Sequence, residues 1–177
     1  MILIVDMCYR KKSLSYYEFV RPIEDIVKDN FIVKHFSELK DFNFSNIDKI
    51  IFCGTALKDI EYTKHINLFE WLKNIDKPVL GICAGMQIIS LVFGGELIKK
   101  TKIGMNKIAV VKDNKILTKK EFEAYELHNF STNVPEKFEI IAKSNNSVEA
   151  IRYKNIYGVL FHPEVRNKEI IRNFVTL

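Results

Sequence analysis

The stretch KPVLGICAGMQIISLVFGG, from Lys77 to Gly95, decides the fold predicted for this chain. Its first part is aliphatic and β-branched, which is typical of a short strand covered on both faces. Its second part is apolar throughout and ends at paired glycines, as a buried helix with a glycine C-terminus does. The stretch therefore predicts a buried strand, a sharp turn at residues 81–85 and a buried helix.

Cys83 lies at the predicted junction between this strand and helix. Gly81 and Gly85 flank it two residues away on either side, the spacing of a nucleophile elbow, where side chains would collide with strand and helix. Free N–H groups at the start of the helix would favour the thiolate of Cys83. A small buried cysteine between two ordinary glycines explains the local pattern equally well.

The rest of the chain indicates an α/β fold. Strands predicted at 1–5, 31–36 and 49–52 alternate with helices predicted at 14–29 and at 65–75. Pro22 must start, kink or divide the first of these helices. This alternation is typical of a parallel sheet with crossover helices. After Gly95 the pattern changes to short strands, predicted to be more antiparallel, at 96–100, 107–112, 124–127, 138–143, 148–152 and 158–161, with turns at Asn114, Asn145-Asn146 and Asn155. A helix from Val165 or Arg166 to Val175 is predicted to close the chain.

The composition favours one domain over residues 1–177. The 177 residues are 47% hydrophobic and contain no apolar run long enough for a membrane span, and the first residues do not resemble a signal peptide. We therefore expect a cytoplasmic protein with no membrane association. The net charge of +5 comes from scattered lysines. It indicates a solvated surface rather than a nucleic-acid site, although a basic face for an acidic or nucleotide-bearing partner is an alternative.

A second chemical signal follows the last predicted strand, in Phe161-His162-Pro163-Glu164. Pro163 holds His162 extended, so His162 and Glu164, two residues apart, can project to the same side. They could then serve as base and orienting carboxylate for Cys83. Among the other histidines, His35 and His65 are interpreted as structural or solvent-facing. His128, at a predicted strand-to-loop transition, is of more interest.

Together, GICAGMQ at 81–87 and FHPEV at 161–165 resemble the class I (triad) glutamine amidotransferase domain. The resemblance covers nearly the whole chain. It implies a flavodoxin-like three-layer α/β fold, with a central, mostly parallel sheet and added antiparallel strands. It also implies a glutaminase activity carried by Cys83, His162 and Glu164.

Within that family the chain is most similar to the separate glutaminase subunit of archaeal-type GMP synthetase. Similar segments are Glu126-Leu127-His128, the closing pattern from Val148 to Val165, and the last helix. Two segments depart from that pattern: Met86 stands where that subunit usually has His, and Cys53-Gly54-Thr55 replaces Ser-Gly-Gly-Pro. The three cysteines lack the spacing of a disulfide framework or zinc site.

The resemblance also implies roles for further residues. Backbone N–H groups of Ala84 and Thr55 would form the oxyanion hole, while Gly54, Gln87 and backbone groups near Asn129 and Phe130 would bind L-glutamine. His128 would couple this site to a loop or partner. No metal or cofactor is implied. The implied partner is a synthetase that receives ammonia, here the ATP-pyrophosphatase subunit of GMP synthetase.

Three alternatives remain open from the sequence. The chain could serve another pathway, of the imidazole glycerol phosphate or anthranilate/aminodeoxychorismate synthase type. It could be a free-standing γ-glutamyl hydrolase, or a catalytically silent regulatory relative. Thr55 bears on the last point, because a β-branched residue disfavours positive φ. If the turn needs positive φ there, we expect the oxyanion hole to form only when a partner docks.

Overall fold

The computed structural model describes residues 1–145 and 147–177. The strands are β1 (Ile2–Asp6), β2 (Phe31–His35), β3 (Lys49–Phe52), β4 (Val79–Ile82), β5 (Leu97–Val110), β6 (Glu121–Thr132), β7 (Glu139–Ser144), β8 (Ser147–Tyr153) and β9 (Ile156–Val159). The α-helices are α1 (Ser15–Phe19), α2 (Arg21–Val27), α3 (Ala84–Val92) and α4 (Lys168–Val175). Two 3-10 helices span Phe36–Glu38 and Glu61–Asn74.

All strands of the described residues belong to one sheet, in the order β2-β1-β3-β4-β9-β8-β7-β5-β6. The half from β2 to β9 is parallel, so the carboxyl ends of its strands meet at one edge. The half from β8 to β6 is antiparallel and extends this core sideways. The predicted parallel core with added antiparallel strands is therefore confirmed.

The inner parallel strands β1, β3, β4 and β9 are buried on both faces, whereas the edge strand β2 is only partly buried, and alternate residues serve two separate cores. In β1, Ile2 and Ile4 pack on the side of α2 and α4, whereas Leu3 and Val5 pack on the side of α3 and the 3-10 helix Glu61–Asn74. This follows from the two-residue period of a strand, and it explains why the strand sequences are continuously apolar. The molecule consequently has three layers.

Several predicted boundaries were wrong, most clearly in β5. The strands predicted at 96–100 and 107–112 are one long strand, with a register shift between Lys99 and Lys102. β6 likewise runs on to Thr132 instead of ending at Leu127. Pairing between these two strands overrides the weak strand propensity of the residues between the predicted segments.

Two helices also differ from prediction. The segment predicted as one helix at 14–29 forms α1 and α2, and Pro22 lies in the first turn of α2, so of the three expected effects it is the start of a helix that is observed. The helix predicted at 65–75 is a 3-10 helix that begins at Glu61 and is kinked at His65. The closing helix begins at Lys168 rather than at Val165, because the Val165 N–H closes a turn onto the His162 carbonyl (3.2 Å). The predicted turn at Asn145-Asn146 includes Asn146, which lies outside the described residues.

Candidate active site

Cys83 occupies the turn between β4 and α3, with backbone angles of φ 49° and ψ −101°. These angles are strained for any residue with a side chain, and such strain costs of order 1–3 kcal/mol. The flanking glycines make the turn possible. A Cβ at Gly81 would lie 2.5 Å from the backbone of Gly85, and a Cβ at Gly85 would lie 2.6 Å from Phe52. The residue pattern of a nucleophile elbow thus corresponds to elbow geometry.

His162 and Glu164 form a hydrogen-bonded pair in the turn after β9. The distance from His162 Nδ1 to Glu164 Oε1 is 2.7 Å, and both side chains are almost fully buried. The His162 N–H donates to the Tyr125 carbonyl (2.8 Å), which ties this turn to β6. Within the described residues the other ring nitrogen, Nε2, has no hydrogen-bond partner. A nitrogen oriented in this way is free to exchange a proton with a nucleophile.

Gly54 determines how close the chain can come to the His162 ring. A Cβ at position 54 would lie 2.6 Å from Cε1 of His162 and 3.3 Å from the ring of Phe19. Phe19 packs against the opposite side of this space, with its ring centroid 5.5 Å from that of His162. Gly54 therefore lies against the imidazole and not in the pocket beside Cys83.

The electrostatic surroundings favour a protonated His162. Burial alone would lower its pKa, but the negative charges of Glu164 and Cys83 outweigh burial and raise the pKa well above 6.5. The ring is thus stabilised in the state that it reaches after taking a proton from a thiol.

Ala84 and Thr55 line the same pocket as Cys83. Ala84 is the first residue of α3, so its N–H has no acceptor within the helix. The Thr55 hydroxyl donates to Asp59 Oδ2 (2.6 Å). Neither Gly54 nor Thr55 is among the residues with positive φ. The turn is therefore built here without the φ value that a β-branched residue disfavours.

The pocket beside Cys83 is narrow. Its space for the centre of a water-sized sphere is about 10 Å³, enough for about one water molecule. Its lining includes Ala84, Gln87, Leu127, Asn129 and Phe130. A wider cleft of about 520 Å³ lies elsewhere, beside Asp6. The narrow pocket is the candidate site, because Cys83 lines it.

Gln87 and Asn129, two residues of the predicted substrate site, have side chains that are already hydrogen-bonded within the protein; for Asn129 the predicted group was the backbone. The Gln87 amide nitrogen donates to the Phe130 carbonyl (2.7 Å), and its oxygen accepts from the Tyr62 hydroxyl. Asn129 donates to the Leu57 carbonyl (2.9 Å). These bonds join α3 to β6 and to the 3-10 helix Glu61–Asn74, and join β6 to the segment after β3, at the lining of the pocket. Tyr62 was not predicted, because only the folded chain places it opposite Gln87.

The histidine predictions had mixed outcomes. His128 is not at a strand-to-loop transition: it lies within β6 and is 2% exposed, so it has no surface to offer a partner. His35 is structural as expected, since its two ring nitrogens contact Ser37 Oγ (2.8 Å) and the Cys8 carbonyl (2.7 Å). His65 is solvent-facing, with its side chain 44% exposed.

A buried charge cluster escaped the sequence analysis altogether. Lys102 Nζ lies 2.6 Å from Glu149 Oε1 and 3.2 Å from Glu126 Oε2, and both glutamates are fully buried. The one signal in the sequence was Glu126, which lies two positions before His128 on the same strand. Residues with this spacing lie on the same face of a strand. Nothing local indicates that β5 and β8 supply the other members. Within residues 1–145 and 147–177 no group of His, Cys, Asp or Glu is arranged to hold a metal.

The fold and site define a class of protein, and comparison with known families agrees with it. Residues 19–176 match the family model described as Glutamine amidotransferase class-I. The chain therefore belongs to the class I glutamine amidotransferase family and is a glutamine-hydrolysing enzyme.

Among its relatives are archaeal proteins that are named as the glutamine-hydrolyzing subunit of GMP synthase. The protein of Methanocaldococcus jannaschii is 40% identical over 128 residues, covering 66% of this chain and 67% of the relative. That of Sulfolobus acidocaldarius is 32% identical over 157 residues, covering 81% of each. The predicted likeness to archaeal GMP synthetase glutaminase subunits is confirmed.

Solved structures agree on the fold. A protein of Thermoplasma acidophilum superposes with a TM-score of 0.83 at 24% identity, covering 99% of this chain and 92% of the other. A glutamine amidotransferase of Thermotoga maritima gives a TM-score of 0.73 at 19% identity, covering 99% and 80%. The predicted fold class is confirmed. None of the helices in the described ranges is long and apolar enough to cross a membrane.

Proposed function

We propose that this chain is the glutaminase subunit of a GMP synthetase, hydrolysing L-glutamine through Cys83, His162 and Glu164 and passing ammonia to a synthetase subunit. The observation that carries the chemistry is Cys83 on a strained elbow, close enough to the buried His162–Glu164 pair for its negative charge to raise the pKa of His162. The pathway is supported by the relatives that are named as glutamine-hydrolyzing GMP synthase subunits.

In the proposed mechanism, His162 takes the proton of the Cys83 thiol while the sulfur attacks the amide carbon of glutamine. The C–N bond then breaks, and His162 returns the proton to the leaving ammonia. The resulting γ-glutamyl thioester is hydrolysed by a water molecule that His162 deprotonates. Glu164 keeps the imidazole oriented and stabilises its charged form.

The backbone N–H groups of Ala84 and Thr55 are proposed to bind the oxyanion in both steps. One such donor contributes about 3 kcal/mol in comparable sites. The small volume of the pocket, about 10 Å³, supports a further element of the proposal, that the chain has low activity without a partner. A docked synthetase would then open the pocket by shifting the equilibrium toward an open state.

The test is glutamate release from L-glutamine by the purified protein, alone and with an archaeal ATP-pyrophosphatase subunit, with Cys83→Ala as the control. Strong Cys83-dependent release only with the partner is the expected result. Equal release without the partner contradicts gating and favours a γ-glutamyl hydrolase or another pathway. No release in either condition contradicts the proposal and favours a silent subunit.

Gly54→Ala provides a geometric test of the base. The new Cβ would approach His162 Cε1 to 2.6 Å, so the ring must shift. A displacement of about 1 Å can lower a rate about a hundredfold, and we expect that loss in kcat with little change in KM. Steady-state kinetics and a thermal unfolding curve would be measured together. Activity within threefold of wild type would show that the ring does not depend on Gly54.

A further inference from the structure

The buried charge cluster around Lys102 joins four strands of the antiparallel half. Lys102 Nζ lies 2.6 Å from Ser144 Oγ on β7, 2.6 Å from Glu149 Oε1 on β8 and 3.2 Å from Glu126 Oε2 on β6. Ser144 also donates to Glu149 (2.6 Å). On β6, His128 Nε2 lies 3.6 Å from Glu126 Oε2. We call these five residues the lysine cluster.

The charges of the lysine cluster do not balance without Lys102. Glu126 and Glu149 are 0% exposed, and Lys102 is the cation within contact of both. Burial acts to raise the pKa of Glu126, but His128 and Lys102 hold it below the ordinary value. Burial raises the pKa of Glu149. Removing the lysine would leave two buried carboxylates facing each other, which is costly unless one takes up a proton.

Backbone hydrogen bonds also connect the lysine cluster to Cys83 and His162. The Leu127 carbonyl, between Glu126 and His128, accepts from the Cys83 thiol (3.7 Å). The Tyr125 carbonyl, one residue before Glu126, accepts from the His162 N–H (2.8 Å). On β8, the Glu149 carbonyl accepts from the Leu160 N–H (2.8 Å), two residues before His162. A shift of Glu126 or Glu149 would therefore move backbone that contacts both Cys83 and His162.

The position of Lys102 depends on the irregularity in β5. The register shifts between Lys99 and Lys102, after which Lys102 pairs with His128. Such bulges redirect side chains within a strand. Here the redirected side chain faces inward, and only 17% of it is exposed.

We propose that Lys102 is a positioning residue of the glutaminase site, which holds residues 125–128 of β6 against Cys83 and His162 by neutralising Glu126 and Glu149. This inference rests on the proposed function for its activity readout. Lys102 touches no reacting atom, so its effect is exerted through the backbone of β6.

The test compares Lys102→Met with the double variant Lys102→Met/Glu149→Gln. In the single variant two carboxylates face each other, and kcat at about pH 8 should fall at least tenfold. Because protonation of one carboxylate relieves the repulsion, the ratio of variant to wild-type kcat should rise toward 1 as the pH falls to about 6. In the double variant one carboxylate remains beside His128, so kcat should return to within threefold of wild type at every pH. Lys107→Met, on an exposed lysine of the same strand paired with Glu121, should change nothing.

A readout independent of turnover separates the two proposals. Iodoacetamide labelling of Cys83, followed by peptide mass spectrometry, should show the same pH-dependent difference between the single and double variants. Absence of glutaminase activity in the wild type would overturn the proposed function, while labelling would still test Lys102. A Lys102→Met variant equal to wild type in both readouts would overturn the inference. A loss of kcat in Lys102→Met that is constant with pH and is not restored by Glu149→Gln would also overturn the inference. Failure of the double variant to fold would overturn it as well.

Discussion

Cys83→Ala is expected to abolish glutamine hydrolysis, with a loss of at least about a thousandfold in kcat, because no thioester can form. Cys83→Gly should be equally inactive but more stable than Cys83→Ala by about 1 kcal/mol. The reason is the backbone conformation of φ 49° and ψ −101°, which glycine accepts and alanine does not. Glutamate release and urea unfolding curves would measure the two effects.

Cys53 offers a matched control for this comparison. It is also buried and follows a strand of the parallel core, but it is not among the residues with positive φ. There the order of stability should reverse, with Cys53→Gly less stable than Cys53→Ala. If glycine were no better than alanine at position 83, the elbow would not be strained as described.

Glu164→Gln is expected to lower kcat by about a thousandfold or more while preserving the fold. The amide keeps the size of the carboxylate, but it neither stabilises the imidazolium nor enforces the required tautomer. The 2.7 Å contact with His162 Nδ1 is the contact that would be altered. Single-turnover glutamine hydrolysis would measure the loss. Activity above a tenth of wild type would show that Glu164 is not the orienting group.

The pH dependence of the free energy of unfolding should reveal the His162–Glu164 pair without any measurement of turnover. Because folding raises the pKa of His162, the charged pair stabilises the wild type fully below the unfolded value of about 6.5, and this contribution is lost as the pH rises through the folded pKa. The stability difference between wild type and Glu164→Gln should therefore be largest near pH 6 and shrink at higher pH. A difference that grows with pH would contradict the assignment of the positive charge to His162.

Local sequence patterns located most strands of the parallel half of the fold. The exception is β9, which was predicted at 158–161 among the antiparallel strands but spans Ile156–Val159 and pairs in parallel with β4. Strands such as Lys49–Phe52 were predicted to the residue, because continuous apolar runs bounded by turn residues leave few alternatives. The elbow was predictable because a strained turn needs small neighbours at fixed spacing, which Gly81 and Gly85 provide. His162 and Glu164 were predictable as a pair because Pro163 fixes the backbone between them.

The antiparallel half was predicted less well for physical reasons. The continuity of β5 through Gly104 depends on pairing with β6 and not on local propensity. His128 was predicted at a strand-to-loop transition, and not within a strand, for the same reason. The contact of Lys102 with Glu149 joins residues 47 positions apart, and neither residue carries a local sign of burial. Contacts set by long-range pairing leave no periodic signal in one sequence.

The most direct test that Cys83 forms a thioester with glutamine is an acid-quench experiment. It uses radiolabelled L-glutamine in the presence of the ATP-pyrophosphatase subunit. During turnover, label should be covalently attached to the peptide that contains Cys83, should be lost with hydroxylamine as a thioester is, and should be absent from Cys83→Ala. Turnover with label on Cys8 or Cys53, or undiminished turnover by Cys83→Ala, would contradict the assignment of Cys83 as the nucleophile.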